Sequence, residues 1–268
     1  MSVTVYMNAI DRSSFRAVSC VAVCAALLLS ATVSGQSTGR ARTDLSGIWQ
    51  AASTAHWDLE PHAAEAGPVP QLGALLAVPP GPGVVVGGSI PYLPGALERR
   101  RENRAQRWTA DPEIKCFMPG VPRANYMPYP FQIVQGTDTI MMTYEFADAV
   151  RIVNMKDPGP APANSWMGWN VGRWEGNTLV VDVTAQHDDT WLDRSGNYHS
   201  DELHVVERYT LRSPDVLLYE ATIEDPKVFS RPWTLRVPLY RQVEENAQLM
   251  EFKCIPFAEP ALYDRVGR

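Results

Sequence analysis

Residues 166–211 read WMGWNVGRWEGNTLVVDVTAQHDDTWLDRSGNYHSDELHVVERYTL. Two strand-like runs, 168–174 and 178–186, meet at Glu175-Gly176-Asn177, and a third begins at 203. Apolar runs joined by a tight turn of this composition predict an antiparallel hairpin. The connection to the third run packs His187, Asp188, Asp189, Trp191, Asp193, Arg194, His199, Asp201, Glu202 and His204 into eighteen residues. Loops held by a rigid scaffold are where binding and chemistry concentrate, so this loop is the first candidate for a site.

Working outward, the same pattern predicts strands at 131–135, 138–146, 149–154, 203–212, 216–224, 232–241 and 248–254, with an opening strand at Asp44–Gln50. Gln135-Gly136-Thr137-Asp138, Ser213-Pro214-Asp215 and Glu244-Glu245-Asn246 supply the other breaks. Connections this short do not accommodate crossover helices, so most neighbouring strands are expected to be antiparallel. Nine or ten such strands leave exposed edges unless they close. The expected fold is therefore mainly β, an antiparallel up-and-down barrel with one main helix, and a two-sheet sandwich is the alternative. Eight tryptophans and 22 prolines suit a β-rich chain better than a helical bundle. Residues 67–95 form a Pro/Gly-rich excursion expected to be irregular. The helix is Ala96–Trp108, its arginines read as a solvated face.

At the N-terminus, Arg12 and Arg16 precede thirteen apolar or small residues, Ala17–Leu29, and then Ser30–Gly35. This reads as a signal peptide over 1–35, too short to span a membrane, where about twenty residues are needed. The expected destination is the periplasm or the exterior. A flexible 36–43 and a single barrel domain over 44–268 would follow. Removing 1–35 takes two of the 24 basic and one of the 30 acidic side chains, leaving a net charge of −7. That disfavours nucleic acid and anionic membrane as partners, and stable membrane insertion is not expected. Cys116 and Cys254 are then the remaining cysteines, and an even pair in an exported protein suggests a disulfide. Two buried free thiols are the alternative. Closing so long a loop would stabilise by about 5 kcal/mol at most in the chain-entropy model.

Gly47-x-Trp49 looks like the opening-strand signature of lipocalin-type barrels. Further motifs follow: Cys116-x-x-Pro119-Gly120-x-Pro122-Arg123, Tyr129-Pro130-Phe131-Gln132-Ile133 and Gly172-Arg173-Trp174-Glu175-Gly176-x-x-Leu179-Val180-Val181-Asp182. Asp188-x-Thr190-Trp191-Leu192-Asp193, His199-Ser200-x-Glu202, Glu207-Arg208-Tyr209 and Asp225-Pro226 complete the set. Jointly they resemble a family of exported Gram-negative bacterial proteins of unknown function with a lipocalin-like, calycin-type barrel. The likeness spans roughly residues 44–255, with His187 where Asn is expected. It implies export and a barrel, and no particular activity.

The candidate catalytic residues are His199, Asp193 and Glu207. A histidine beside a carboxylate forms a general acid/base pair, the carboxylate fixing the imidazole tautomer. On 203–211, alternation puts Leu203, Val205, Glu207, Tyr209 and Leu211 on one face and His204, Val206, Arg208 and Thr210 on the other. Glu207 is then a carboxylate pointing inward, which must be paired, protonated or functional. Arg151 or Arg123 is its expected structural partner, because Arg208 points the other way. Trp191, Tyr126 and Tyr129 are candidate walls for an apolar ligand, and Arg123 or Arg151 for its anionic end. No metal-binding spacing, phosphate loop or Gly-x-Ser-x-Gly elbow occurs, so neither metal nor cofactor is expected. Two readings follow. One is a cofactor-independent periplasmic enzyme (lyase, decarboxylase, isomerase or hydrolase) acting on a small apolar or aromatic molecule. The other is a lipocalin-like carrier without turnover. Either admits a homo-oligomer.

Overall fold

Inward-facing side chains alternate with outward ones along nine strands that close on themselves in a computed structural model describing residues 43–255. The expected signal peptide and most of the segment to residue 43 lie outside the described residues. The strands are β1 (Gly47–Ala51), β2 (Phe131–Gln135), β3 (Thr139–Tyr144), β4 (Val150–Asn154), β5 (Trp169–Glu175), β6 (Thr178–Thr184), β7 (His204–Ser213), β8 (Val216–Glu224) and β9 (Trp233–Arg241). Each pairs with its neighbour in sequence, and β1 pairs with β9 to complete the ring.

A closed ring of nine strands cannot be antiparallel throughout. Every antiparallel pairing reverses direction, and the reversals around a ring must be even in number. One pairing is accordingly parallel: β4 with β5, through Val153↔Asn170 and Asn154↔Val171 alone. The connection between them, 155–168, contains Pro158, Pro160 and Pro162 and carries the chain back without a helix. It has the dozen or more residues that a parallel return needs.

The segment 248–254 is not a strand. The reason is topological: β1 already occupies the edge of β9, with Trp49↔Arg241 to Ala51↔Leu239, so no edge awaits a tenth strand there. Beyond the reach of β1, the Pro/Gly-rich excursion covers the rest of β9. The Val86 amide donates to the Thr234 carbonyl at 2.8 Å, and the Arg236 amide to that of Val84 at 2.9 Å. The excursion is thus irregular, as its composition implies, but it has a defined place against the sheet.

Helix α1 (Pro94–Ala105) continues after a break into the short α2 (Arg107–Ala110), close to the expected 96–108. Its arginines form a solvated face only in part: Arg99 and Arg101 are exposed, whereas Arg100, Arg104 and Arg107 are held by other segments. Arg100 donates to Ser195 Oγ at 3.0 Å, Arg104 to Asp58 at 3.2 Å, and Arg107 to Glu65 at 3.0 Å. The acids that claim them come from the region before the helix, where sequence proximity gives no warning of the pairing. Gly196, at φ +87°, lets the 193–197 loop approach α1, since a Cβ there would lie 2.7 Å from the Arg104 nitrogen.

The core lies inside the barrel. Val205, Glu207 and Tyr209 of β7 are buried and face inward, while His204 and Arg208 are half-exposed, in the register that alternation predicts. Cys116 and Cys254 form the expected disulfide. Trp49 has no exposed surface, its indole donates to the Leu45 carbonyl at 2.9 Å, and the Arg241 guanidinium lies 4.2 Å from its ring. It therefore packs where β1 meets β9. Trp49→Ala should cost about 3–5 kcal/mol in urea unfolding, the range for emptying a large aromatic site. A loss below about 1 kcal/mol would show that ring closure does not depend on it.

Candidate functional site

Three buried polar sets occupy this fold, and the residues singled out in the sequence are divided among them. The first fills the barrel. Glu207 Oε1 accepts from Asn125 Nδ2 and Tyr219 Oη at 2.8 Å, Tyr209 Oη at 3.0 Å and Arg151 Nη1 at 3.1 Å. Its Oε2 accepts from Arg151 Nη2. Strand register explains the assembly: Tyr209 lies opposite Tyr219, and Arg151 opposite Met142 on the adjoining strands. Arg151 Nε donates to Asn170 Oδ1 at 2.7 Å across the parallel seam. Asn125 comes from a 3-10 turn, Arg123–Tyr126, that plugs the barrel and also accepts from Tyr144 Oη at 3.0 Å. Burial raises the phenols of Tyr209 and Tyr219 well above 10, so they remain neutral donors. Of the two partners expected for Glu207, Arg151 is the one present. The inward side chains carry almost no accessible surface, so the barrel centre is packed rather than hollow.

The second set surrounds Glu113 in a short turn, Pro112–Lys115. Arg123 points here, away from the barrel, donating to both oxygens of Asp111 at 2.9 and 3.0 Å and to Glu113 at 2.6 Å. Arg194 grips Glu113 bidentately at 2.9 and 2.8 Å while lying 4.7 Å from the Trp57 ring. His56 Nε2 is 3.4 Å from the same carboxylate. Burial alone would raise the Glu113 carboxyl, but the Arg194 and Arg123 guanidiniums, joined by His56 only once acid protonates it, hold it well below the usual carboxylate range. Burial lowers His56 to about 3 against the pull of Glu113, so its ring is neutral. Glu113 and His56 carried no motif. Their only sequence signal was proximity to Cys116 for one and to the opening strand for the other.

The third set holds Asp193 and His199, which do not pair with each other. Asp193 accepts from the Leu59 and Ser195 amides, both at 2.8 Å, and from the Asn197 amide and side chain at 3.2 and 2.5 Å. Burial and the neighbouring Asp58 raise its carboxyl to about 7 against those donors. His199 Nδ1 meets the Ser200 carbonyl at 2.9 Å, and Nε2 meets Thr190 Oγ1 at 2.6 Å. The carbonyl requires a proton on Nδ1, which makes Nε2 the acceptor of the threonine hydroxyl. Burial lowers the His199 pKa, keeping this neutral form. Gly120 at φ +70° allows the close approach of the plug, since a Cβ would lie 2.8 Å from Thr190 Oγ1. Tyr126 Oη donates to the Leu192 carbonyl at 2.7 Å, and half-buried Trp191 bridges to Tyr198 through its backbone. His199 and Asp193 thus bond different partners within this region, and Glu207 lies apart from both in the barrel.

Open space lies beside the second set. A groove of about 240 Å³ is lined by Glu113, Ile114, Arg194, Tyr129, Phe146 and residues 252–255. Tyr129, Phe146 and Phe252 contact one another with ring centroids 4.7–5.5 Å apart. Of the expected binding residues, Tyr129 lines this groove.

The shifted groups fix a pH response. His56 is neutral when folded, so the unfolded chain binds the extra proton and stability falls as pH drops from 6.5 toward 3. Asp193 has the opposite sign: the folded state holds the proton, and stability falls as pH rises from 3.8 to about 7. Between pH 4.5 and 6.5 the two oppose each other. Asp193→Asn should leave the His56 slope uncompensated, so stability gains up to about 1.4 kcal/mol per pH unit of rise relative to the parent. Urea midpoints measured across that window decide it, and identical slopes in the two proteins refute it. No known protein family, curated protein or solved structure matches this chain.

Proposed function

We propose that this is an exported small-molecule-binding barrel that takes a compound with an aromatic body and an anionic end in the groove beside Glu113. One observation carries the reading: the groove combines three aromatic rings with Arg194 and Lys253, against a single carboxylate, Glu113. The lining is therefore net cationic and apolar in one place, which suits an aryl carboxylate. Its volume, about 240 Å³, falls below the range of roughly 300–1,000 Å³ for drug-sized ligands, so the occupant has a single ring. The packed barrel centre supports a site on the outside of the ring rather than a calyx. Export is supported by the disulfide and by the N-terminal sequence.

A second reading, acid/base turnover without a cofactor, is favoured by Asp193. A carboxyl raised to about 7 beside Asp58 and Ser195 titrates where general acids and bases work best. On that reading Asp193→Asn abolishes turnover and leaves affinity unchanged.

Benzoate and phenylacetate titrated calorimetrically into the oxidised chain should bind, and benzyl alcohol, with the same ring and no charge, should bind at least about tenfold more weakly. Tyr129→Ala should weaken benzoate by about tenfold or more, whereas His199→Ala should not change it. Equal affinity for the alcohol, or binding indifferent to Tyr129, removes the groove from consideration.

A further inference from the structure

We propose that the Cys116–Cys254 disulfide is a redox gate on the groove: reduction frees the wall formed by 250–255 and dismantles the ligand site while the barrel stays folded. This rests on the binding reading above. The ring is complete at Arg241, the last residue of β9, and the described chain beyond it adds no strand. Residues 242–255 nevertheless supply four of the groove's nine lining residues, Phe252, Lys253, Cys254 and Ile255.

Among the described residues, few contacts hold that segment. The Gln242 amide donates to the Ile48 carbonyl at 2.9 Å, and the Met250 amide to Glu145 Oε2 at 3.0 Å. Phe252 contacts Tyr129 and Phe146. Met250 and Ile255 are exposed at 65 and 63 %, so neither side chain anchors it by burial. The disulfide is the covalent tie, and it joins two of the chain segments that build the groove. Cys116 ends the turn that presents Glu113 and Ile114, and Cys254 follows Phe252 and Lys253 in the lining. Both cysteines are half-buried, so the bridge lies outside the packed core. A segment with few buried apolar contacts opens locally at low free energy once its tie is cut.

The reductant is a dithiol. Its thiolate attacks one sulfur, the S–S bond breaks, and a mixed disulfide forms. Its second thiol displaces the remaining protein sulfur and closes the reductant into its own disulfide. Cys116 and Cys254 receive two electrons and two protons in total, and nothing else is consumed.

The test treats the full chain with dithiothreitol, with a Cys116→Ser/Cys254→Ser double variant as a second, reductant-free case. Hydrogen exchange should accelerate by about tenfold or more in 245–255 and stay unchanged in the strands. Far-UV circular dichroism should keep its β signature, and benzoate affinity should fall by about tenfold or more. Unchanged exchange in 245–255 overturns the proposal. So does acceleration that spreads through the strands in both preparations, which would make the bridge a staple of the fold. Retained benzoate affinity with the wall freed overturns it too. If the oxidised chain binds no benzoate, the binding reading falls, and the exchange pattern alone decides whether reduction frees the wall.

Discussion

One carboxylate organises the interior of this barrel. Glu207 receives hydrogen bonds from β4 through Arg151, from β7 through Tyr209, from β8 through Tyr219 and from the plug through Asn125. A buried charge without partners is prohibitive, whereas one with five donors is tolerated and demands that each donor be in place. The barrel's two unusual parts, the parallel seam and the plug, both terminate on this group. Arg151 reaches it from the strand at the seam, after bonding Asn170 on the far side. Asn125 reaches it from the turn that fills the barrel. The network makes the interior specific and, by occupying it, leaves open space only outside the ring among the described residues.

The same plug divides its residues between two tasks. Asn125 faces the barrel, and Arg123, two residues earlier, faces Asp111 and Glu113. The interior network and the groove's charged floor are therefore joined through one short turn. Electrostatics on the outer side is dominated by Glu113, around which Arg123, Arg194 and His56 converge.

Much of the fold was legible because strands write a period-two pattern. The runs in β2 and in β4 to β9, the inward placement of Glu207 and Tyr209, and the disulfide all follow from local alternation, turn residues and cysteine count. The tenth strand at 248–254 was misread because an apolar segment after a turn looks the same whether or not an edge is free to receive it. Arg104 and Arg107 were misread for a related reason: their acids, Asp58 and Glu65, lie more than thirty residues away, and only folding brings them together. The site was less legible still. His199 and Asp193 are six residues apart, yet one turns to Thr190 and the other to Leu59 and Asn197, because loop geometry carries no period. Glu113 and Arg194 meet across 81 positions with no motif at either end.

Ring closure also sets the order in which this chain can fold. The meander from β5 to β9 is built of hairpins and neighbouring strands whose partners are close in sequence, so those pairings need little loop closure. β1 must wait: its partner residues on β9 are 188–192 positions downstream, from Ala51↔Leu239 to Trp49↔Arg241. Contacts of that separation raise contact order and slow folding. During synthesis from the N-terminus, β1 can meet β2 early, but its other edge stays without its β9 partner until nearly the whole domain has emerged. The closure of β1 on β9 is therefore the pairing of longest sequence separation in the ring, and the edges it covers are open to association with other chains for the longest interval.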